Sequence, residues 1–306
     1  MQPLLLLSYG TPESYDEIVP FLHNLFAGKD VPAERITAAV LKYEQYVAAT
    51  GHFSPLNGEC RKLIEGIQQI EPALPVYWGN LFGHPLLTDT VAKMERDKVE
   101  RAVCFATSAF DSPSGNKRYA DALNSARQIV GINAPILEKL PLPFDHPLFI
   151  EVQAERLLLT DSADSPAPRI LFSAHSIPIV DAAQSHYVGQ LQSTCRRVME
   201  RSGITFPWEL VFQSRSGPPD YWLGPDIKEC IRNLAAKGVE SIVVSPVGFF
   251  CENMETEYDL DIEVDGCCRE LGIKFFRAKT VGADPKICRM IVDSCLLMNR
   301  CPPLAQ

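Results

Sequence analysis

The sequence lacks any apolar stretch of the ~20 residues that a transmembrane helix needs. Its longest apolar runs are residues 4–7 and 242–250, and the second of these contains Ser, Pro and Gly. The N-terminus also lacks the basic segment and the small-residue cleavage site of a secretory signal. We therefore expect a cytoplasmic protein without a transmembrane segment, whose 10 cysteines stay reduced.

An excess of positive charge is also absent. The 306 residues include 29 Lys and Arg against 38 Asp and Glu, for a formal net charge of -9. Because an acidic surface repels phosphate backbones, we expect no nucleic-acid partner, whereas a cation is a natural ligand. Hydrophobic residues make up 46% of the chain, which is enough for a packed core and excludes a mainly disordered protein.

Several sequence signatures of known sites are missing. No two cysteines have the CxxC spacing of a structural zinc site. The sequence has no Walker A motif, no GxGxxG after its first β-rich run and no GxSxG. These absences argue against a zinc ribbon, a nucleotide-binding site and a serine hydrolase.

Short β-rich runs alternate with stretches of helical period along the whole chain. The predicted strands are residues 3–9, 74–79, 102–108, 135–140, 169–174, 208–213, 241–246 and 273–277. The predicted helical stretches include residues 60–70, 88–97, 182–201, 226–237 and 257–270. This alternation predicts an α/β fold of two Rossmann-like, doubly wound domains, each with a four-stranded parallel sheet, and a cleft between them.

A polar segment with two prolines, residues 160–168, separates the two groups of strands. It has no apolar period, which is typical of an exposed linker or loop. We therefore predict an N-terminal domain of residues 1–160 and a C-terminal domain of residues 161–306, whose last helix could pack back on the first domain.

Acidic residues in the second half recur with helical spacing. Glu252, Glu255, Asp259 and Glu263 are three, four and four residues apart, which places them along one side of a helix. Like charges in this arrangement repel one another, and a cation would relieve the repulsion. A solvated acidic face is the alternative interpretation. The position after the apolar run 242–250, at the carboxyl end of a predicted strand, favours a metal site.

The first predicted strand of each half leads to a residue with useful chemistry, Tyr9 in one and His175 in the other. Ligands of open parallel sheets bind outside the carboxyl ends of strands, so both residues are candidates to face one cleft. A neutral imidazole at His175 could bind a divalent metal together with the acidic row, or accept a proton. A hydrogen-bonded structural histidine and a tyrosine that caps a strand are the alternatives.

Short motifs follow one another in a recognisable order. Those of the first half are Tyr-Gly-Thr-Pro at 9–12, Phe-Ser-Pro-Leu-Asn at 53–57, Tyr-Trp-Gly-Asn at 77–80 and Thr-Ser-Ala-Phe at 107–110. Those of the second half are Ser-Ala-His-Ser-Ile-Pro at 173–178, Gln-Ser-Arg-Ser-Gly-Pro-Pro at 213–219, Trp-Leu-Gly-Pro-Asp at 222–226 and Met-Glu-Thr-Glu-Tyr-Asp-Leu-Asp at 254–261. Together they resemble the ferrochelatases over nearly the entire chain. The resemblance implies a lyase of haem biosynthesis that inserts Fe(II) into a porphyrin, without a cofactor beyond this substrate metal.

The resemblance also implies roles for individual residues. His175 matches the active-site histidine of the family, and Glu255 matches the carboxylate opposite it across the macrocycle. Metal delivery and pyrrole deprotonation are attributed to these two residues. The chemistry requires a base, because a porphyrin loses two N–H protons as the metal enters. Glu252, Asp259 and Glu263 match a line of acidic positions suited to passing a hydrated cation along oxygen ligands. With Tyr9, these residues form the expected metal set.

Tyr9 bears on the choice of porphyrin. Members that resemble the coproporphyrin III type have Tyr before Gly-Thr-Pro, whereas those that use protoporphyrin IX have Met or Leu, and a phenolic oxygen could ligate iron in the product. The resemblance thus favours coproporphyrin III. Its propionates need cationic and hydroxyl partners. The expected porphyrin-binding residues are Tyr9, Lys29, Ser54, Tyr119 and Arg215.

The sequence departs from the family pattern at three positions. Asn253 stands where many relatives have His, and His52 replaces the second of two paired glycines. Asn116 follows Ser-Gly, where relatives with a [2Fe-2S] cluster have Cys. A cluster needs four ligands, and the spacings of Cys288, Cys295 and Cys301 do not match those relatives, so we expect none.

These departures keep other functions open. A catalytically reduced relative that carries haem or porphyrin is one alternative, and a protoporphyrin IX ferrochelatase is another. A cobalt or nickel chelatase that acts on a sirohydrochlorin-type ring is a third. We expect a monomer or a homodimer, with a porphyrin and Fe(II) as its ligands.

Overall fold

The computed structural model describes residues 1–28, 30–160 and 168–300. It contains two four-stranded parallel sheets with flanking helices, so the predicted α/β fold is confirmed. The helices are α1 (Tyr15–Phe26), α2 (Ala33–Thr50), α3 (Leu56–Ile70), α4 (Leu87–Arg96), α5 (Arg118–Val130), α6 (Pro147–Leu158), α7 (Ile179–Ala183), α8 (Tyr187–Ser202), α9 (Ile227–Ala236), α10 (Asp265–Glu270) and α11 (Pro285–Arg300). Two π-helical segments, Pro113–Lys117 and Glu255–Val264, and a 3-10 turn, Pro219–Tyr221, complete the set of described helices.

The first sheet is built around a fully buried strand that begins with four leucines. Its strands are β1 (Leu4–Ser8), β2 (Val76–Asn80), β3 (Arg101–Ala106) and β4 (Ile136–Lys139), in the order β2-β1-β3-β4. Leu4 pairs with Val76 on one side and with Val103 on the other. All five residues of β1 are buried, as expected of a central parallel strand that is covered on both faces.

The second sheet repeats this topology. Its strands are β5 (Arg169–His175), β6 (Trp208–Gln213), β7 (Ser241–Ser245) and β8 (Lys274–Arg277), in the order β6-β5-β7-β8. The chain goes from β5 to one neighbour, β6, and then returns to the other neighbour, β7. The strand order therefore reverses between β5 and β7, which is where open α/β sheets form their ligand-binding crevice.

The described chain divides into two compact units. One contains the described residues of 1–107, 118–141 and 288–306, and the other contains residues 108–117 and the described residues of 142–287. The expected domain limits, 1–160 and 161–306, stay a prediction. Within the described ranges, no helix has both the length and the hydropathy required to cross a membrane.

The secondary structure differs from expectation in two places. The helical stretch predicted at 182–201 is divided into α7 and α8, which are separated by a short turn at 184–186. The stretch predicted at 257–270 begins earlier and is first wound as a π-helix, then as α10. This second difference lies in the acidic segment and affects the site described next.

Candidate active site

His175 is the last residue of β5 and stands at the switch point of the second sheet. The Tyr187 hydroxyl donates to the His175 carbonyl at 3.0 Å, which holds the backbone. The ring nitrogen Nδ1 lies 2.5 Å from the Ser176 carbonyl oxygen and must donate to it, because a carbonyl only accepts. Nε2 is then the nitrogen left for a ligand or a proton, and it lies 3.3 Å from Glu255 Oε1.

Gly248 allows the segment after β7 to reach His175. Its N–H donates to the Ser173 carbonyl oxygen at 3.0 Å, across the end of β5. A Cβ at this position would lie 2.5 Å from the Ala174 Cβ, a distance that side chains do not tolerate. The close crossing carries the chain from the end of β7 over β5 and brings Glu255 beside the imidazole, although 80 residues separate the two in sequence.

Asn253 starts the helix that carries Glu255. Its side-chain oxygen accepts hydrogen bonds from the N–H groups of Glu255 and Thr256, at 2.8 and 3.0 Å. In return, the Thr256 hydroxyl oxygen accepts the Asn253 N–H at 2.9 Å. This reciprocal pattern is a capping box, which satisfies N–H groups that a helix start leaves unpaired. Asn253 was read in the sequence only as a missing imidazole, whereas the Asn-x-x-Thr spacing could have revealed the cap.

The helix that begins here is a π-helix of 10 residues, Glu255–Val264. The sequence had predicted an α-helical acidic face, and that prediction was wrong in its winding and in its start. Residues four apart extend slightly beyond one α-helical turn of about 3.6 residues but fall short of the wider π turn, so the two windings offset the acidic residues in opposite directions. Glu252 lies before the helix rather than on it.

Two consecutive residues at the end of β6 hold this helix. Gln213 is buried, and its side-chain N–H donates to the Glu255 carbonyl oxygen at 3.1 Å. Ser214 donates through its hydroxyl to Asp259, a buried carboxylate. Ser214 has a φ of 59°, a left-handed conformation that costs a non-glycine residue some strain and that clusters at functional sites. Sequence reasoning recognised the Gln-Ser-Arg-Ser motif but did not assign this supporting role.

Arg277 organises the other acidic residues. Its side chain is 5% exposed and lies 3.0 Å from Glu252, and its guanidinium also binds Asp261. The Thr280 N–H donates to Glu252 at 2.8 Å. Burial by itself would raise the pKa of Glu252, but Arg277 and this backbone N–H hold it below its ordinary value. Glu252 therefore stays negatively charged and links β8 to the start of the π-helix through its ion pair with Arg277.

The remaining members of the acidic row have different surroundings. Glu263 lies 2.8 Å from Lys228 Nζ, and this hydrogen bond raises the pKa of the lysine. Asp259 is close enough to His175 to raise the pKa of the imidazole. Of the expected metal set, the second unit thus brings His175 and Glu255 into contact, and Asp259 acts on the imidazole only through its charge, whereas Glu252 and Glu263 are bound to cationic side chains.

The charge of the His175 side chain follows from this arrangement. Burial by itself would lower the pKa of the imidazole, but the carboxylate of Glu255 attracts and hydrogen-bonds its protonated form. The Ser176 carbonyl and Asp259 act in the same direction, and together they raise the pKa of His175 to about 9. At neutral pH the pair is therefore an imidazolium next to a carboxylate.

Tyr9 belongs to the first unit, directly after β1. Its ring packs edge-on against Phe82 and Tyr119, with centroid distances of 5.2 and 5.9 Å. The Arg118 guanidinium donates to the Tyr9 hydroxyl oxygen at 3.4 Å. Gly10, the next residue, has a φ of 76°, which turns the chain away from the strand at a position where a Cβ would meet Asn80.

The expected porphyrin-binding residues have varied positions. Ser54 and Tyr119 are buried in the first unit, and Arg215 is half-buried after β6. Lys29 lies outside the described residues, and so does Cys301 of the cysteines considered for a cluster. Binding of the porphyrin by these residues stays a prediction, as does the absence of a cluster. In the part of the chain that the structure describes, three or more His, Cys, Asp or Glu side chains do not converge into a resident metal site.

Comparisons with known proteins agree with the motifs. The family model described as Ferrochelatase matches residues 2–297. A protein of Rhodopirellula baltica named Ferrochelatase is 38% identical over 99% of this chain and 88% of its own length. A protein of Frankia alni named Coproporphyrin III ferrochelatase is 40% identical over 94% of this chain and 77% of its own. One with the same name from Nocardia farcinica is 39% identical over 96% and 87%.

Solved structures agree in fold. SirB from Bacillus subtilis, solved with Fe3+, aligns with a TM-score of 0.59 and 10% identity over 98% of this chain and 96% of its own. The sirohydrochlorin chelatase SirB from Bacillus subtilis subspecies spizizenii, in complex with cobalt, aligns with a TM-score of 0.55 and 11% identity, with the same coverage of 98% and 96%. At such low identity the likeness extends to the fold alone.

Proposed function

The chain belongs to the ferrochelatase family, and we propose that it inserts Fe(II) into coproporphyrin III in preference to protoporphyrin IX. Insertion of iron into a porphyrin is a lyase reaction of haem biosynthesis, which is the activity of the family. The preference for coproporphyrin III is supported by two relatives of that name at 39 and 40% identity. The tyrosine at position 9 supports it as well.

The observation that carries the proposed mechanism is the His175–Glu255 pair, with 3.3 Å between Nε2 and Oε1 at the switch point of the second sheet. The two side chains are 34% and 43% exposed, so a substrate can reach them. An imidazole nitrogen and a carboxylate oxygen are both ligands for a divalent first-row metal, and both accept protons. One site can therefore serve both halves of the reaction.

Insertion of the metal requires protons to leave both the porphyrin and this pair of side chains. Insertion of Fe(II) into a free-base porphyrin releases two pyrrole protons, which must leave the site. His175 is protonated at neutral pH and has to lose its own proton before Nε2 can act as a ligand or as a base. The neighbouring carboxylates favour the imidazolium and attract a cation as well, so the arriving metal ion and the histidine proton compete for the same negative charge.

Tyr9 is proposed as a ligand of the iron in the product. A phenolic oxygen is a hard donor that can bind an iron ion. The Arg118 guanidinium donates to the Tyr9 hydroxyl oxygen and so helps to fix the position of this oxygen. The carrier alternative rested on Asn253 and His52, and the capping role of Asn253 gives the first of these residues a structural explanation.

The test is anaerobic insertion of ferrous iron by the purified protein, with kcat/KM compared for coproporphyrin III and protoporphyrin IX. We expect coproporphyrin III to be preferred. His175→Ala and Glu255→Gln should each lower the rate by orders of magnitude while porphyrin binding stays measurable. His186→Ala removes an exposed imidazole that is also paired with a carboxylate, and Glu270→Gln removes an exposed acid, so both serve as matched controls with unchanged rates.

Two outcomes would contradict the proposal. Preference for protoporphyrin IX would remove the substrate assignment and leave the reaction in place. Tight porphyrin binding without insertion, in the presence of ferrous iron, would instead identify a carrier.

A further inference from the structure

Three buried oxygen atoms of the first unit have no hydrogen-bond partner among the described residues. They are the Thr11 hydroxyl oxygen, Asn57 Oδ1 and Asn80 Oδ1. The three residues are 3%, 1% and 0% exposed, so their side chains are closed off from bulk solvent. Because an unpaired buried polar atom is costly, nearly all such atoms in native proteins have a partner. The three oxygens therefore point to a bound group that pairs with them.

The three residues lie in segments that pack against one another. Asn57, in the first turn of α3, donates through Nδ2 to the Thr11 carbonyl oxygen at 3.1 Å. A Cβ on Gly10 would lie 2.8 Å from the Asn80 Cβ, so the backbone before Thr11 runs directly against that side chain. The side chains of Asn57 and Asn80 thus both adjoin residues 10 and 11, immediately after Tyr9.

One internal water molecule matches the hydrogen-bonding capacity of these atoms. The two amide oxygens only accept hydrogen bonds, whereas the Thr11 hydroxyl can also donate one. A water molecule that donates to Asn57 and Asn80 and accepts from Thr11 pairs with all three atoms. Buried waters typically make about three such bonds to polar groups that are otherwise unpaired. A hard cation such as Ca²⁺ takes about 6–8 oxygen ligands, usually with carboxylates among them, and fits this neutral set less well.

The same residues hold the loop that carries Tyr9. The Tyr9 carbonyl oxygen accepts the Phe82 N–H at 3.0 Å, and two residues later the Thr11 carbonyl oxygen accepts the hydrogen bond from Asn57. Gly10 lies between these two points with a φ of 76° and has the freest backbone of the loop. The conformation of the loop therefore depends on the hydrogen bonds on either side of Gly10.

We propose that Asn57 is a positioning residue for Tyr9, and that an internal water bound by Asn57, Asn80 and Thr11 completes this support. The inference rests on the proposed role of Tyr9 as an iron ligand in the product. A ligand that is held in place before it binds loses less freedom on binding, so a fixed loop strengthens the bond from Tyr9 to iron. Asn57 ends the Phe-Ser-Pro-Leu-Asn motif, to which the sequence assigned no individual role.

The test compares the binding of coproporphyrin III with that of its ferric complex, by quenching of the protein fluorescence. Only the iron complex can use Tyr9 as a ligand, so a loss of positioning should affect this complex alone. Asn57→Leu should weaken binding of the ferric complex by about fivefold or more and leave binding of the metal-free porphyrin unchanged. Asn57→Asp keeps the shape of the side chain but, when ionised, cannot donate to the Thr11 carbonyl, and should have the same effect.

The absorption spectrum of the bound ferric complex gives a second readout. In Asn57→Leu it should shift toward the spectrum of Tyr9→Met. The matched control is Asn299→Leu, because Asn299 accepts the Gln2 N–H at 2.9 Å and so also holds backbone of the first unit, at the opposite end of β1. This control should keep the wild-type spectrum and both wild-type affinities.

A high-resolution crystal structure tests the water. It should show one water within about 3.2 Å of the Thr11 hydroxyl oxygen, Asn57 Oδ1 and Asn80 Oδ1. A cation with six or more ligands at this place, or side chains that pair with one another instead, would overturn this part of the inference.

The outcomes separate the inference from the proposed function. Equal losses of metal-free and ferric porphyrin binding in Asn57→Leu would show a purely structural role and overturn the positioning role, as would wild-type affinity for the ferric complex. If Tyr9→Met itself leaves the ferric affinity and spectrum unchanged, the ligand role of Tyr9 fails and the inference fails with it. A clear effect of Tyr9→Met without one of Asn57→Leu would overturn the inference alone.

Discussion

Replacement of Glu255 by Gln should lower the pKa of His175 from about 9 toward its ordinary value of about 6.5. The substitution keeps the size of the side chain and a hydrogen-bonding group near Nε2, but it removes the negative charge 3.3 Å away. Burial, which by itself lowers the pKa of the imidazole, is then opposed only by the Ser176 carbonyl and by Asp259. The change isolates the electrostatic effect of one carboxylate.

The energy involved can be bounded. A difference of about 2.5 in pKa corresponds to ~3.4 kcal/mol, at 1.36 kcal/mol for each pKa unit. The His175 side chain is 34% exposed, so solvent screening reduces the interaction to about 1–2 kcal/mol. Because the folded-state pKa is raised, this stabilisation is fully present below pH ~6.5 and is lost as the pH rises through about 9.

The assay is an NMR titration of the imidazole signals, with His175→Ala used to assign the resonance. The midpoint for His175 should fall by about one pH unit in Glu255→Gln, and should stay near 9 in the control Glu270→Gln. Urea unfolding at pH 6 and pH 10 should show that the variant loses the part of the stability that depends on this pair. A His175 midpoint that stays near 9 without the Glu255 carboxylate would refute the electrostatic account of the site.

Three further predictions concern the supports of the site. Asn253→Ala should lower the free energy of unfolding by ~1 kcal/mol, measured by denaturant titration, and should slow iron insertion. Asn253→Asp should restore both the stability and the rate, because Asp also caps a helix. Arg277→Met should lower the free energy of unfolding by about 3–5 kcal/mol in the same titration, because it leaves Glu252 charged and buried. The control Arg269→Met breaks an exposed ion pair and should lower the free energy of unfolding by at most ~1 kcal/mol. Tyr9→Met should change the absorption spectrum of the iron porphyrin product, and an unchanged spectrum would remove Tyr9 from the iron ligands.

The sequence alone determined the fold class and selected His175 and Glu255 as candidates. It did not predict their contact, because the resemblance placed Glu255 across the macrocycle from His175, whereas Nε2 and Oε1 lie 3.3 Å apart. Strands such as β1 and β5 were recognisable because a buried parallel strand is a short run of apolar residues, a property of neighbouring residues only. His175 and Glu255 were selected because each follows such a run and lies in a family motif. Patterns of this kind involve only neighbouring residues, so they can be recognised without knowing which distant residues they contact.

Tertiary structure decided which of the candidate residues act together. The pairing of Arg277 with Glu252 and the contact of Arg118 with Tyr9 join residues 25 and 109 positions apart, and no local period encodes them. The π winding of Glu255–Val264 likewise depends on contacts from outside the segment, since Gln213 and Ser214 hold it from the end of β6. The spacing of acidic residues predicts that they share one face of a helix. Whether a carboxylate is neutralised by a cationic side chain or left for a ligand depends on which residues pack beside it.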